Sequence, residues 1–251
     1  MRRIAVVAHA ADAVSRLERV AAAAGVEIGD DEPDLAVTLG GDGSMLKAFH
    51  RFLGTGVPVI GVNFGRVGFL TSMPADQLEQ GLERAFAGDY RIVELPTLEV
   101  RLGAEMWPAV NDVVVASSTI GHMVELAYAV GGEELDTLAC DGLICCTPSG
   151  STAYNLSNGG PVLVWGLDAM ALTFVAAHSL HARSLVIPRS RDLVVWNRTE
   201  DGDATLIVDG QQVGSLKSGD RIDVRLGEQK SLLATLPEST FFTRYRDTFT
   251  S

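Results

Sequence analysis

The sequence predicts two lobes: an N-terminal α/β lobe on a parallel sheet, then an all-β lobe, with a helical tail that packs back on a domain. Three patterns carry this reading. The first ninety or so residues alternate strand-like and helix-like segments; from about Tyr90 to residue 230 short strand-like runs dominate; and the last residues carry four aromatics at helical spacing.

Ile4–Ala8 is a short apolar run of strand length, and Ala13–Ala24 is Ala-rich with Val14, Leu17 and Val20 at helical intervals. Leu35–Leu39 is a second buried strand. Ser44 to Phe52 is helical, with Met45, Leu46, Phe49 and Phe52 on one side. Val57–Val62 is a third strand with Pro58 near its start, and Ala75–Ala87 a further helix. This β-α-β-α-β order calls for parallel strands flanked by helices. The second lobe's strands are Leu98–Leu102, Val110–Ala116, Leu126–Val130, Leu143–Cys146, Leu172–Val175, Leu193–Trp196, Thr205–Val208 and Ile222–Leu226. Turn signals such as Gly131-Gly132, Asp201-Gly202 and Asp209-Gly210 separate several of them. One short helix is expected after Ser151. In the tail, Ser239–Phe249, the aromatics Phe241, Phe242, Tyr245 and Phe249 call for packing against a domain, because an exposed helix needs no such set.

A chain of 251 residues that is 47% hydrophobic fills a real core, which excludes disordered and low-complexity classes. No apolar run approaches the roughly 18 residues of a membrane span. The first residues resemble a buried strand more than a secretory signal, because His9 interrupts the apolar run. Three cysteines, Cys140, Cys145 and Cys146, without CxxC spacing support neither a disulfide framework nor a zinc site; reduced thiols in a cytoplasmic protein are expected. A net charge of −12 argues against nucleic acid as a partner. An acidic chain still binds small phosphorylated ligands through local N–H donors, a few placed cations or a divalent metal.

Two loops about a hundred residues apart carry the chemistry. The first, Gly40-Gly41-Asp42-Gly43-Ser44, follows a buried strand and opens a helix, so its N–H groups and helix dipole favour phosphate. It has no Gly-Lys dipeptide and no third glycine at dinucleotide-fold spacing. Asp42 has two readings: a capping aspartate in a tight turn, or a carboxylate that takes a proton from a hydroxyl, orients it or holds a metal ion. The second, DGLICCTPSGSTAYNLSNGGP from Asp141 to Pro161, is dense in glycine and small hydroxyl residues that cap a helix or face a base, ribose or phosphate. Asn111-Asp112 opens a strand; its amide and carboxylate suit an adenine edge and ribose hydroxyls, or mark a polar strand entry. Two such loops suggest one nucleotide-sized ligand held between two lobes.

These residues resemble the NAD kinase family. GGDGS resembles its GGDG loop, Gly61 to Thr71 its GVNxGxxGFLT segment, Asn111-Asp112 its Asn-Glu pair, the long second loop its DG…TPTGSTAYxxSxGGP signature, and Val208-Asp209-Gly210-Gln211 a later DGQ turn. GGDG alone is shared with diacylglycerol and sphingosine kinases; the long signature is more specific. The resemblance implies a Rossmann-like α/β phosphate-donor lobe over residues 1–90 and 235–251, and a β-rich NAD-binding lobe over residues 91–234. NAD is implied in the crevice between them, with the last segment returning to the first lobe. It implies transfer of phosphate from ATP, in some members polyphosphate, to the adenosine ribose 2′-hydroxyl of NAD, giving NADP, with Mg²⁺ accompanying the donor. Carried over by motif, Asp42 is the catalytic base or orienting group. The amides of Gly40, Gly41 and Gly43 cradle donor phosphates, Asn111 and Asp112 contact the adenosine, and Asp141 holds the nicotinamide-side ribose. Thr152, Ala153, Tyr154, Asn155, Leu156 and Ser157 line the adenine pocket. Phe69, His122 and Gln211 are further contacts, Phe69 and His122 having core and turn readings as alternatives. No metal-ligating residue is implied. The partners implied are small-molecule nucleotides and further copies of the chain, as a dimer or tetramer, with neither nucleic acid nor membrane.

The chain departs from the family pattern at several positions. Asp112 replaces the commoner Glu, Ser44 and Ser149 replace Thr, Ala139 stands where many members have arginine, and the first strand leads into His9-Ala10-Ala11. A lipid kinase of the GGDG superfamily and a non-catalytic dinucleotide sensor are the rival readings. The first lacks an apolar tunnel signal, and the second would not need Asp42.

Overall fold

The computed structural model describes residues 1–8, 11–65, 68–119 and 121–250. His9 and Ala10 of the departure after the first strand, and Arg66 and Val67 of the Gly61–Thr71 segment, lie outside the described residues. The chain divides into two compact units, residues 1–95 with 230–251 and residues 96–229.

The first unit opens with β1 (Arg3–Ala8), α1 (Ala11–Ala24), β2 (Glu27–Ile28), β3 (Leu35–Leu39), α2 (Asp42–Phe52), β4 (Val59–Asn63), β5 (Met73–Pro74) and α3 (Leu78–Phe86). Strands run parallel in the order β2-β1-β3-β4, with β5 beside the end of β4. All five residues of β3 are buried, as expected of a strand covered on both faces. Leu17 and Val20 of α1 and Leu78 and Leu82 of α3 pack with Ile4, Val37 and Val62 in one core. The third strand starts at Val59, two residues later than its sequence suggests: Pro58 has no N–H to give a ladder, though its carbonyl accepts from the Ala36 N–H at 2.9 Å. The helix expected over Ala75–Ala87 begins with a 3₁₀ turn at Ala75–Gln77.

The second unit follows with β6 (Arg91–Leu102), β7 (Glu105–Ala109), β8 (Asp112–Ser117), β9 (Val124–Val130), β10 (Glu133–Cys140), β11 (Gly142–Cys146), the one-turn α4 (Tyr154–Ser157), β12 (Ala169–Val175), β13 (Leu185–Pro188), β14 (Leu193–Asn197), β15 (Ala204–Val208), β16 (Gln211–Leu216) and β17 (Arg221–Thr235). Six strands form an antiparallel sheet in the order β13-β12-β11-β8-β15-β16. A second antiparallel stretch runs β10-β9-β14-β17. Alternate residues Val113 and Val115, Leu143 and Cys145, Leu172 and Phe174 meet Leu126, Tyr128, Leu193 and Val195 in a common core. The opposite face of the six-stranded sheet buries Val114, Ile144, Cys146 and Leu163. Strand β10 is mostly exposed and rich in Glu, which is why no apolar run announces it.

Strand β17 is 15 residues long, and its last part rejoins the first unit, pairing Leu233 with Val59 of β4 in parallel. The tail then forms α5 (Phe241–Phe249), opened by a capping box between Thr240 and Thr243. Arg84 of α3 forks onto Glu238 just before it, at 2.5 and 3.0 Å. The tail therefore returns to the first lobe. Its aromatics do not all anchor it: Phe241 is buried, but Phe242 is 68% exposed, and the second buried side chain of α5 is Arg244.

Among the described residues no helix is long and apolar enough to cross a membrane.

Candidate functional site

In the first unit the site is built around Asp42. Strand β3 delivers the chain to Gly40, whose N–H donates to Val62 O at 3.0 Å, and Gly41 N-caps α2 without a side-chain bond. Asp42 is the first residue of the helix, where the dipole favours a carboxylate. It does not cap its own helix. Its Oδ2 accepts the main-chain N–H of Phe69 at 2.8 Å and its Oδ1 that of Leu70 at 3.0 Å. Gly68 makes this possible, since a Cβ there would collide with the Asp42 carboxylate. Each carboxylate oxygen retains a second lone-pair direction for a hydroxyl.

The glycines of this loop have a different logic. A Cβ at Gly41 or Gly43 would meet nothing within 4 Å, and neither has positive φ. Neither packing against described residues nor backbone conformation demands glycine there. Glycine at these positions leaves the main chain open to close approach. Gly61, by contrast, is demanded by packing, because a Cβ would strike the Met45 thioether and come within 3.2 Å of Thr71 Cα.

Behind Asp42 stands Arg244, buried to 6% exposure. Its Nη1 donates to Phe69 O at 2.9 Å and, more closely, to Thr71 O. Its Nη2 donates to Ser239 Oγ at 3.0 Å and Thr235 Oγ1 at 3.3 Å. Burial pulls the guanidinium down to about 10, opposed by the Asp42 charge, so it stays protonated at neutral pH. The Phe69 ring packs at centroid distances of 6.0 Å from Phe241 and 5.6 Å from Phe249.

In the second unit the Asn111-Asp112 pair is clamped from both sides. The Asp209 carboxylate accepts three main-chain N–H groups: Val110 on Oδ2 at 2.7 Å, and Asn111 and Asp112 on Oδ1 at 2.7 and 2.9 Å. Asp209 and Gly210, with φ of 48° and 77°, form the two-residue turn joining β15 to β16, a place where Asp tolerates the left-handed region. On the carbonyl side, Thr147 Oγ1 and Ser149 Oγ donate to Val110 O at 2.6 and 3.0 Å, and the Thr147 N–H donates to Asn111 O at 2.9 Å. Gly150 lies so close that a Cβ would run into the Asn111 main chain. Asn111 Oδ1 is buried and accepts no hydrogen bond from the described residues. Burial, and secondarily the Asp209 charge, raise the Asp112 carboxyl to about 7.

The remaining sequence-predicted residues divide. Thr152 is half-buried and donates to Ser149 O at 3.2 Å; Ala153 and Leu156 are half-buried; Tyr154 and Ser157 are exposed. The Asn155 side chain is wholly engaged in the fold, donating to Ser151 O and Pro161 O at 3.0 Å and accepting from Thr173 Oγ1 at 2.8 Å. The residue has no exposed surface, and its main-chain carbonyl accepts from the Asn158 and Gly160 N–H groups. Gln211 is exposed at the start of β16, next to the Asp209-Gly210 turn. Asp141 is exposed and lies beside Ser117, at the far end of β8 from Asn111. His122 is exposed in the loop that follows β8. Five residues of strand put Asp141 about 17 Å from the Asn111-Asp112 end.

All three cysteines are buried free thiols. Burial lifts Cys140 to about 11, Cys146 to about 12 and Cys145 well above the ordinary thiol value, so none acts as a nucleophile. Among the described residues no group of three His, Cys, Asp or Glu converges to hold a metal.

Three residues of this geometry had no role assigned from sequence: Asp209, Gly68 and Arg244. The Asp209-Gly210 pair marked a turn between strands but not what its carboxylate holds. Gly68 lay within a motif with no partner assigned. Arg244 sits three residues after Phe241, on the same helical face, and an arginine on an otherwise apolar face was the available signal.

Comparison with known proteins agrees with both halves. Residues 5–90 match the model of the ATP-NAD kinase N-terminal domain and residues 110–236 that of the C-terminal domain. The NAD kinase of Heliobacterium modesticaldum is 42% identical over 219 residues, covering 85% of this chain and 77% of its own length. That of Gemmatimonas aurantiaca is 38% identical over 231 residues, covering 88% and 79%. The crystal structure of an NAD kinase from Archaeoglobus fulgidus in complex with ATP superposes with a TM-score of 0.84 at 27% identity, covering 99% of this chain and 97% of that one. The chain belongs to the NAD kinase family, a family of phosphotransferases.

Proposed function

We propose that this protein transfers the terminal phosphoryl group of ATP to the adenosine ribose 2′-hydroxyl of NAD, giving NADP and ADP. Family membership supports the activity. The observation that carries the residue assignment is the Asp42 carboxylate at the start of α2, pinned by the Phe69 and Leu70 amides beside Gly41 and Gly43, where a Cβ would meet none of the described residues.

In this reading Asp42 accepts the hydroxyl proton, or aligns the hydroxyl, as its oxygen attacks phosphorus. Phosphoryl transfer through a loose transition state asks chiefly for positioning and charge neutralisation. The amides of Gly41 and Gly43 supply donors to the phosphates, while the Gly40 N–H is taken by Val62 O and leaves that residue only its close main-chain approach. Asn111, through its open Oδ1, accepts from the exocyclic amine of adenine, and Asp112 accepts from a ribose hydroxyl. Thr152 to Ser157 shape the adenine pocket, with Phe69, His122, Asp141 and Gln211 as outer contacts. Mg²⁺ would accompany the phosphoryl donor and supply charge neutralisation there. Polyphosphate is a second candidate donor. The reading further takes the protein as a cytoplasmic homo-oligomer, a dimer or tetramer, for which free thiols support the reducing compartment.

The test is a coupled assay for NADP with the purified protein, given ATP or polyphosphate, with and without Mg²⁺, and with diacylglycerol in place of NAD. NADP formed from ATP and NAD supports the reading. NAD binding without turnover, or phosphorylation of the lipid alone, overturns it.

A further inference from the structure

A single peptide group links the C-terminal helix to the carboxylate of α2. The Phe69 carbonyl accepts from Arg244 Nη1 at 2.9 Å, and the N–H of the same peptide unit, on Leu70, donates to Asp42 Oδ1 at 3.0 Å. A buried cation thus sits at the oxygen end of this peptide and an anion at its hydrogen end. Both charges polarise the amide in the same sense, so each hydrogen bond strengthens the other. The neighbouring Thr71 carbonyl also accepts from Nη1, and Phe69 N–H holds the second carboxylate oxygen. The segment from Phe69 to Thr71 is therefore gripped on its carbonyl side by arginine and on its amide side by aspartate.

The arginine is itself fixed. Ser239 and Thr235 receive its other nitrogen, and the capping box and the aromatic contacts of Phe241 and Phe249 with Phe69 seat the helix that carries it. Burying a guanidinium is costly unless it is paired and hydrogen-bonded, and simple docking of a helix does not require one.

We infer that Arg244 is a positioning residue for phosphoryl transfer: through the Phe69–Leu70 peptide it fixes the orientation of the Asp42 carboxylate, so that docking of the C-terminal helix sets the geometry of the catalytic loop. This rests on the assignment of Asp42 given above. The helix then acts in the reaction without touching substrate.

The test is a double-mutant cycle with a readout independent of turnover. Arg244→Met and Arg244→Lys are made in the wild-type and Asp42→Asn backgrounds. Arg244→Met is expected to lower kcat about tenfold or more with the Kd for NAD within about threefold, while in Asp42→Asn it changes the residual kcat less than about twofold. Arg244→Lys, which keeps the charge but loses the fork, recovers part of kcat. Amide exchange at Phe69 and Leu70, followed by NMR without substrate, is expected to accelerate about tenfold in Arg244→Met while β3 amides stay protected. Equal fold-losses in both backgrounds, or unchanged exchange at the two amides, overturn the inference. If Arg244→Met does not fold, Arg244→Lys carries the same comparisons. If the wild-type protein makes no NADP, the functional reading falls, and the exchange measurement still decides what Arg244 does.

Discussion

The Asp42 carboxylate occupies the space that any side chain at position 68 would fill, so Gly68 is the counterpart that lets it reach the Phe69 and Leu70 amides. A substitution at Gly68 acts through this contact. Gly68→Ala is expected to push Asp42 off these amides, lowering kcat roughly 10–100-fold and costing about 1–3 kcal/mol of stability. Denaturant unfolding in a second background checks the cause. The stability loss should largely vanish in Asp42→Ala, where the colliding group is gone, and persistence of the full loss would point to a different clash.

Asp209 holds three consecutive amides of the segment that presents Asn111 and Asp112. Asp209→Ala strands those donors, with an expected cost of about 2–4 kcal/mol, and frees the pair it positions. The Kd for NAD should rise about tenfold or more while kcat at saturation changes far less, the pattern of lost ground-state binding. Calorimetric titration with NAD beside steady-state kinetics measures the split.

Asp112 gives the protein a distinctive pH response. Its carboxyl is raised from the usual carboxylate value to about 7, first by burial and then by Asp209; the nearby Cys145 and Cys146 thiols are neutral. Between about pH 4 and pH 7 the folded state therefore holds a proton that the unfolded state has released. Stability from this group falls as pH rises through that window, and the deficit persists above it. Asp112→Asn removes the penalty. Relative to wild type it should gain on the order of 2–4 kcal/mol near pH 8 and little near pH 4, by urea unfolding at both. An equal gain at the two pH values would show that the carboxyl is not the group responsible.

Much of this was legible in the sequence because it lay in local pattern. Strand β3 and helix α2 follow from an apolar run and a 3.6-residue spacing, and the glycine loop stands at the corner between them. What escaped is what long-range partners decide. Strand β10 has no apolar alternation because its residues face solvent. Asn155 reads as a polar pocket residue, yet Ser151, Pro161 and Thr173 take all its hydrogen bonds. Asp42 pairs with amides 27 and 28 positions away and, through one of them, with Arg244 near the chain's end. Such a relay has no periodicity to announce it.

The most direct test of the central claim is Asp42→Asn, which keeps the shape and an acceptor oxygen but removes the base. The Kd for NAD by calorimetry and kcat for NADP formation are measured on the same folded preparation. The expected result is a loss of roughly 10²–10⁴ in kcat with the Kd within about threefold of wild type. Near-normal turnover in the folded variant, or a loss confined to NAD binding, would contradict the role of Asp42.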